Sequence, residues 1–347
     1  MHTLAVLDPG HFHAALTLGA RHPAVRDDLV AYAPKGRELD DFLALIDAFN
    51  RRGVEPTAWR VEVRAGDRSL ERLVADRPGD LVVLAGRNDR KPATIRRLHD
   101  AGLHILADKP WMAGPDGLDH LRHALAAGPL VVEMMTGPHE ITGKVATRLV
   151  ADEAVFGGFV DDEAGGGPAI EITSVHHLEK TVNGRPLRRP PWYFDVRVQG
   201  DGIADIPTHL IDQAQRFVAA AYGVSVDHGL ELVGARRWST AVPRALFARV
   251  TGLADFPADL RAHVDGDVLA YASNAELALR LGGIGAQIST RWDLTEPPGG
   301  GDAHSATITG SDARVRIEQG PQTGFRRRLW VEPRGSGGGL EAALRRA

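Results

Sequence analysis

The sequence predicts two domains: an α/β domain with a doubly wound parallel sheet, then an α+β domain on a mostly antiparallel sheet. Three observations carry this reading. Up to about residue 136, short apolar runs alternate with segments of helical periodicity, the pattern of strands joined by crossover helices. From residue 168 onward, runs with period-two alternation are joined by Gly-rich turns. The chain has 347 residues, 43% hydrophobic and 25% charged, enough for two ordinary cores.

Residues 3–7 are an apolar run ending in Asp8-Pro9-Gly10, and residues 11–19 follow with helical spacing. A second strand covers 29–32. Over 39–52, Leu39, Phe42, Leu43, Leu45, Ile46 and Phe49 fall on one helical stripe. A strand over 59–63 and a helix over 69–76 come next. Residues 80–85 read Asp-Leu-Val-Val-Leu-Ala, a continuous apolar strand of the kind buried on both faces. A helix over 92–101, a strand over 103–107, a helix over 115–127 and a strand over 130–135 complete a domain placed at 1–138. Six strands in that span is the size of a Rossmann-type dinucleotide-binding domain. The second domain, 139–334, opens with a helix over 140–151. Its strands are expected over 169–176, 230–238, 275–281, 286–293, 305–309, 313–318 and 325–331, with one long helix over 207–221. Residues 161–167 and 297–302 read as loops. Gly-Ser-Gly-Gly-Gly at 335–339 begins a flexible tail, 335–347.

Net charge is −4 with no basic block, which argues against nucleic acid or an anionic membrane as partner. No apolar run approaches the roughly 18 residues of a membrane span. The first residues lack the pattern of a signal peptide. Absence of cysteine excludes disulfides, thiolate catalysis and Cys-based metal sites, and fits a cytoplasmic protein acting on a small molecule.

Four places carry candidate chemistry. Asp8-Pro9-Gly10-His11-Phe12-His13 lies between the first strand and helix, where an open α/β sheet binds phosphate at a helix N-terminus. Of a Gly-x-Gly-x-x-Gly fingerprint only the middle glycine, Gly10, is present; Asp8 and His13 hold the outer places. The acidic residue that usually ends the second strand is missing, and Lys35 and Arg37 there suit a 2′-phosphate, favouring NADP over NAD. Asp108-Lys109-Pro110 ends the fifth strand, where Lys109 can polarise an oxygen or relay a proton. In the segment from Gly202 to Asp212, Asp205 precedes a helix, and His209 and Asp212 share one helical face. A carboxylate beside an imidazole is what a general base needs; a capping Asp with an incidental His is the plain alternative.

Asp-Lys-Pro after an apolar strand, followed about ninety residues later by Asp-x-x-x-His-x-x-Asp, resembles the glucose–fructose oxidoreductase / inositol dehydrogenase / MocA family. The likeness runs from Thr3 to about Val331. It is closest to a divergent branch that shares Pro-Gly-His-Phe-His-Ala near the start and Ser-Val-His-His in the second domain. The resemblance implies an oxidoreductase moving hydride between NAD or NADP and a sugar, polyol or related hydroxy compound. It implies Lys109, His209 and Asp205 as the catalytic set, with His209 as base and Asp212 supporting it. It also implies Gly10 under the pyrophosphate, Asn88 lining the nicotinamide pocket, and a homo-oligomer formed through the C-terminal sheet. His11, Phe12, His13, Lys35, Arg37, Asp108 and Pro110 complete the expected cofactor contacts.

For substrate, Ser174-Val175-His176-His177 ends a strand, and adjacent strand residues point to opposite faces, so one of His176 and His177 is expected at the site. Trp192 offers a stacking surface, or else an aromatic corner, and Lys180, Asp195, Asp205 and Asp212 can bond hydroxyls. No local metal motif appears, so no metal ligand is assigned. Three other readings remain: a tightly held cofactor serving elimination or glycoside cleavage without net redox; a ligand sensor; and a metal enzyme using His11, His13, His176, His177, His209, Asp205 and Asp212.

Overall fold

The structure is a computed structural model and describes residues 1–160, 167–182, 184–223, 229–334 and 339–346. The expected loop at 161–167 and the break at 335–339 therefore lie, except for their last residues, outside the described residues. The chain divides into two compact units. Unit 1 is Met1–Met135 with Arg189–Gly200; unit 2 is Thr136–Arg188 with Asp201–Ala347.

Unit 1 runs β1 (His2–Leu7), α1 (His13–Thr17), β2 (Val25–Ala33), α2 (Arg37–Arg51), β3 (Arg60–Ala65), α3 (Ser69–Asp76), β4 (Leu81–Leu84), α4 (Lys91–Asp100), β5 (His104–Ala107), α5 (Leu118–Ala126) and β6 (Val131–Glu133). The strands form one parallel sheet in the order β3-β2-β1-β4-β5-β6. The apolar runs explain why both faces are covered. Along β1, Leu4 and Val6 join Phe42, Ile46 and Phe49 of α2 in one core, while Ala5 and Leu7 join Ile95 and Leu98 of α4 in the other. Burial of a side chain such as Phe42 or Ile95 contributes about 1.5–3 kcal/mol, so α2 and α4 are held by packing rather than by propensity.

Two helices are shorter than the periodicity predicts. α1 starts at His13 rather than residue 11; the residues before it form a turn tied to the chain after β4, with His11 N–H donating to Ala85 O (2.8 Å). α5 starts at Leu118 rather than 115, because Gly117 takes φ +97°, outside the helical region.

Unit 2 contains α6 (Ile141–Ala151), α7 (Glu153–Phe156), β7 (Ile170–Glu179) and a small ribbon, β8 (Thr181–Val182) with β9 (Arg185–Pro186). The next helix, α8 (Val196–Gln199), lies in the Arg189–Gly200 stretch that clusters with unit 1, although the sequence reads it as second-domain chain. Unit 2 resumes with α9 (Pro207–Tyr222), β10 (Leu230–Pro243), α10 (Arg244–Thr251), β11 (Val264–Asp265), β12 (Val268–Leu281), β13 (Ile284–Thr295), β14 (Ala303–Thr309), β15 (Ala313–Gln319) and β16 (Arg328–Pro333). Its main sheet is ordered β10-β12-β13-β7-β14-β15-β16, with β11 on β12; the β13–β7 pair is parallel and the other pairs are antiparallel. β16 begins three residues later than expected, since Phe325 sits at φ 56° beyond a turn. Where a tail was expected, α11 (Leu340–Arg346) forms and buries Ala343.

The turns after β1 and β4 meet so closely that residue 86 must be glycine. A Cβ there would stand 2.4 Å from Asp8 O and 2.6 Å from Asp8 Oδ2. Gly86→Ala is expected to destabilise unit 1 by about 1–3 kcal/mol, read as a lower midpoint of thermal unfolding. An unchanged midpoint would show that the turns are not packed in this way.

Candidate active site

The unit 1 order is that of a doubly wound sheet whose direction reverses between β1 and β4, and ligands of such sheets bind at that switch point, beyond the strands' carboxyl ends. The turns that leave β1, β4 and β5 there carry Gly10 to His13, Arg87 and Asn88, and Asp108 to Pro110. Asp8 takes φ 48°. Its N–H donates to Tyr32 O (2.9 Å), and Gly10 N–H donates to Asp8 O (2.8 Å). Burial raises the Asp8 pKa, and the Arg87 charge opposes that rise.

Asp108 is buried and gathers the two histidines of the first turn. Its Oδ1 accepts from His13 Nδ1 (2.9 Å), and its Oδ2 stands 2.8 Å from His11 Nδ1. Burial pushes the His11 pKa down to about 4, so this ring is neutral. Burial alone would raise the Asp108 pKa, but the His13 and His11 imidazoles outweigh it and hold the carboxylate well below its ordinary value. Phe12 packs its ring against both histidines, and Tyr193 lies parallel to His11 at 6.3 Å. Lys109 is half-buried, and the peptide bond to buried Pro110 is cis.

Asn88 is buried and fully engaged. Its Nδ2 donates to Gln199 O (2.8 Å), its Oδ1 accepts from Lys91 Nζ (2.5 Å), and its N–H donates to Val198 O. Lys91, which the sequence reading passed over, also donates to Asp108 O (2.7 Å), and burial pushes its pKa down to about 8. Lys35 is exposed, and Arg37 Nε lies 3.6 Å from Asp41. Trp192 is an aromatic corner of unit 1: it is buried, its indole N–H donates to Glu38 Oε1 (2.9 Å), and Arg87 lies 5.5 Å from its ring. Asp195 caps α8, accepting from Arg197 N (3.0 Å) and pairing with the Arg197 guanidinium at 2.7 Å.

In unit 2 the organising group is Asp302, in a stretch the sequence presents only as a loop. The β7–β14 register sets Ala303 opposite Val175, so Asp302 falls level with His176. Asp302 Oδ2 accepts from Lys180 Nζ (2.5 Å) and from His176 Nδ1 (3.0 Å), while Oδ1 stands 3.4 Å from His177 Nδ1. Both histidines therefore reach one carboxylate, against the expectation that only one would face the site. A carboxylate only accepts, so His176 Nδ1 carries the proton and Nε2 accepts from the Ser174 hydroxyl (2.7 Å). Burial pushes the His176 pKa down, with the Asp302 hydrogen bond opposing. Burial would raise the Asp302 pKa, but His176, His177 and Lys180 together hold it far below the ordinary carboxylate range. Asp205 is buried and close enough to His176 to act on its charge. It does not cap α9, whose N-cap is Ile206. His209 lies in the first turn of α9. Asp212 binds Arg216 (2.8 Å) on the same helix.

A family described as "Putative oxidoreductase C terminal domain" matches residues 145–347. A "putative oxidoreductase" from Parabacteroides merdae superposes with a TM-score of 0.91 at 36% identity, over 99% of this chain and 79% of that one. The chain belongs to the glucose–fructose oxidoreductase / inositol dehydrogenase / MocA family, and it is an oxidoreductase. More distant members share the fold. The WlbA dehydrogenase from Bordetella pertussis, solved with NADH and UDP-GlcNAcA, has a TM-score of 0.56 at 15% identity, over 96% of this chain and 84% of that one. A levoglucosan dehydrogenase gives 0.57 at 16%, over 96% and 80%. No curated protein matches the sequence. Among the described residues, no helix is long and apolar enough to cross a membrane.

The residues around Gly10 fit the dinucleotide that the family implies, by an altered donor set. A Cβ on Gly10 would stand 2.5 Å from Glu38 Oε2, so a carboxylate lies over the turn with Oε1 held by Trp192 and Oε2 toward Gly10, an acceptor of the kind a ribose hydroxyl requires. Glu38 sits five residues beyond β2, which is why a search at the strand end misses it. The N–H groups of Gly10 and His11 are spent on Asp8 and Ala85, and Arg87 is the positive charge that acts on both Asp8 and Glu38, with Lys91 adding at Asp8.

His304 in β14 supplies a pH test. Burial pushes its pKa from 6.5 down to about 3, with the Arg327 and His176 charges adding and Glu140 opposing. Between those values the unfolded chain holds a proton there that the folded chain lacks. Stability therefore falls as pH drops below about 6.5, by about 1.4 kcal/mol per pH unit for one full proton. His304→Gln is expected to make that slope shallower by about one proton, read from urea midpoints between neutral pH and about pH 5. An unchanged slope would mean that His304 is protonated in the fold.

Proposed function

We propose that the protein oxidises a hydroxyl group of a sugar, polyol or related compound with a nicotinamide dinucleotide as hydride acceptor. The observation that carries this is the β3-β2-β1-β4-β5-β6 sheet, with Gly10, Arg87 and Lys109 on its switch-point turns and Glu38 of α2 beside Gly10. The relatives solved with NADH or named as sugar dehydrogenases support the same reading. A bound nicotinamide would supply the two-electron acceptor for the hydride that leaves the carbinol carbon.

This chain's own residues do the rest. Glu38 accepts the ribose hydroxyls and repels a 2′-phosphate, which favours NAD over the NADP suggested by Lys35 and Arg37. Arg87 supplies the positive charge that the missing glycine amides would otherwise provide at the diphosphate. His209 takes the hydroxyl proton, and Lys109 stabilises negative charge on the oxygen as the carbonyl forms. Unit 2 binds the polyol through Lys180 and Asp205, with Asp302 fixing Lys180 and His176 holding Asp302 in place. The partly exposed edge strand β10, where Leu230, Leu232 and Val233 are 49%, 58% and 59% exposed, is the surface we assign to association of copies.

Calorimetric titration of the full chain with NAD and NADP is the test. NAD is expected to bind more tightly than NADP. Glu38→Gln is expected to weaken NAD by about tenfold, the loss of roughly one charge-assisted hydrogen bond, and to narrow the gap to NADP. Absence of binding by either nucleotide, with none released on denaturation, would overturn the proposal.

A further inference from the structure

The histidines of the first turn have a role that hydride transfer does not use. Two imidazoles separated by one residue, His11 and His13, converge on one buried carboxylate, Asp108, from another strand end. The three ligand atoms lie within 4.8 Å of one another. The two imidazole rings stand 4.3 Å apart and edge-on, and both turn their Nδ1 toward the same carboxylate. The His11 ring adds an independent sign. It is 8% exposed, and its buried Nδ1 makes no aligned hydrogen bond, although Asp108 Oδ2 is only 2.8 Å away. A buried ring nitrogen in that state has a lone pair or a proton with nothing on its axis.

Two other clusters show what a committed His/carboxylate group looks like here. In unit 2 the ammonium of Lys180 already stands on Asp302 at 2.5 Å, filling the place of a cation. In the cluster of His99, Asp100 and His123, the His99 Nε2 is bonded to Ala127 O (2.8 Å) and Asp100 to Arg96 (2.7 Å), and two of the three residues are exposed. At Asp108 the nearby ammonium of Lys91 is directed instead to the backbone carbonyl and to Asn88. Lys91 and Lys109 add positive charge near the group, and Asp8 opposes it.

We propose that His11, His13 and Asp108 bind a divalent first-row transition metal ion, in a two-imidazole, one-carboxylate set with its remaining positions open to oxygen ligands. That donor set suits Zn²⁺, Fe²⁺ or Co²⁺ and disfavours Mg²⁺ or Ca²⁺, which take oxygen shells. The site stands on unit 1 geometry alone and does not rest on the nucleotide reading.

The test is titration of the chelator-stripped full chain with Co²⁺, with no nucleotide present, reading visible d–d absorption. Saturation at one equivalent is expected, with Zn²⁺ bleaching the band. His13→Ala removes a half-exposed ligand and is expected to weaken Co²⁺ by at least about 100-fold, beyond the roughly 10–100-fold that loss of an outer partner costs. Asp108→Asn should do the same. His123→Ala should leave the titration unchanged, and thermal melts confirm that each variant is folded. No saturable band in the wild-type chain would overturn the proposal, as would a band that survives His13→Ala in folded protein or vanishes in His123→Ala.

Discussion

A buried ammonium has to be met by acceptors, and in unit 1 that requirement ties the crevice together. Lys91 is 1% exposed. Leaving a charge of this kind unpaired in the interior costs several kcal/mol, so its three donors fix what surrounds them. One bond goes to Asn88 at the end of β4 and another to the carbonyl of Asp108 at the end of β5. Asn88 then spends its amide on Gln199, which anchors the Arg189–Gly200 stretch to the same unit. The adjacent strand ends and the returning segment are thus held in register by one side chain. The Asp108 carboxylate, whose carbonyl is so fixed, can in turn hold His11 and His13.

Unit 2 solves the same electrostatic problem with the charges exchanged. There the centre is a half-buried anion, Asp302, and the cation and imidazoles come to it from β7 and the chain just beyond. Burying the carboxylate is favourable only because both oxygens are engaged. The result is a group whose ionisation is insensitive to pH near neutrality, which locks the tautomer of His176 and points its other nitrogen at Ser174. Preorganisation of this kind is what recognition of a hydroxylated ligand calls for, since reorienting polar groups at the moment of binding would cost affinity.

The fold was legible because its strands are written as continuous apolar runs. Asp80 to Ala85 can hardly be anything but a central strand, and the stripe from Leu39 to Phe49 fixes a helix against it. Boundaries were less legible where tertiary bonds shape the turn, as at the start of α1, where His11 is tied to Ala85. The site was half legible. Asp108, His11, His13 and the two histidines of β7 stand in recognisable strings, but their partners do not. Asp302 is invisible because its position follows from strand register, a long-range quantity. Glu38 is invisible because it lies beyond the strand end where such acids are sought. Trp192 reads equally as a stacking surface or an aromatic corner, and the choice depends on the chain folding back onto Gly10.

That last contact bears on how a dinucleotide domain can survive without its glycines. The fingerprint glycines serve a tight turn, a close approach of backbone to phosphate, and close packing of helix on strand. Here the tight turn is made by Asp8 in a left-handed conformation, possible because residue 86 has no side chain to oppose it. Close packing of the helix is relaxed by shortening α1 to five residues, which makes room for His13 to turn toward Asp108. Only the middle position keeps its glycine, because Glu38 and Trp192 occupy the space above it. Two of the three demands are met by other residues and the third keeps Gly10, so the sheet and its switch point persist while the chemistry of the turn becomes that of imidazoles and carboxylates.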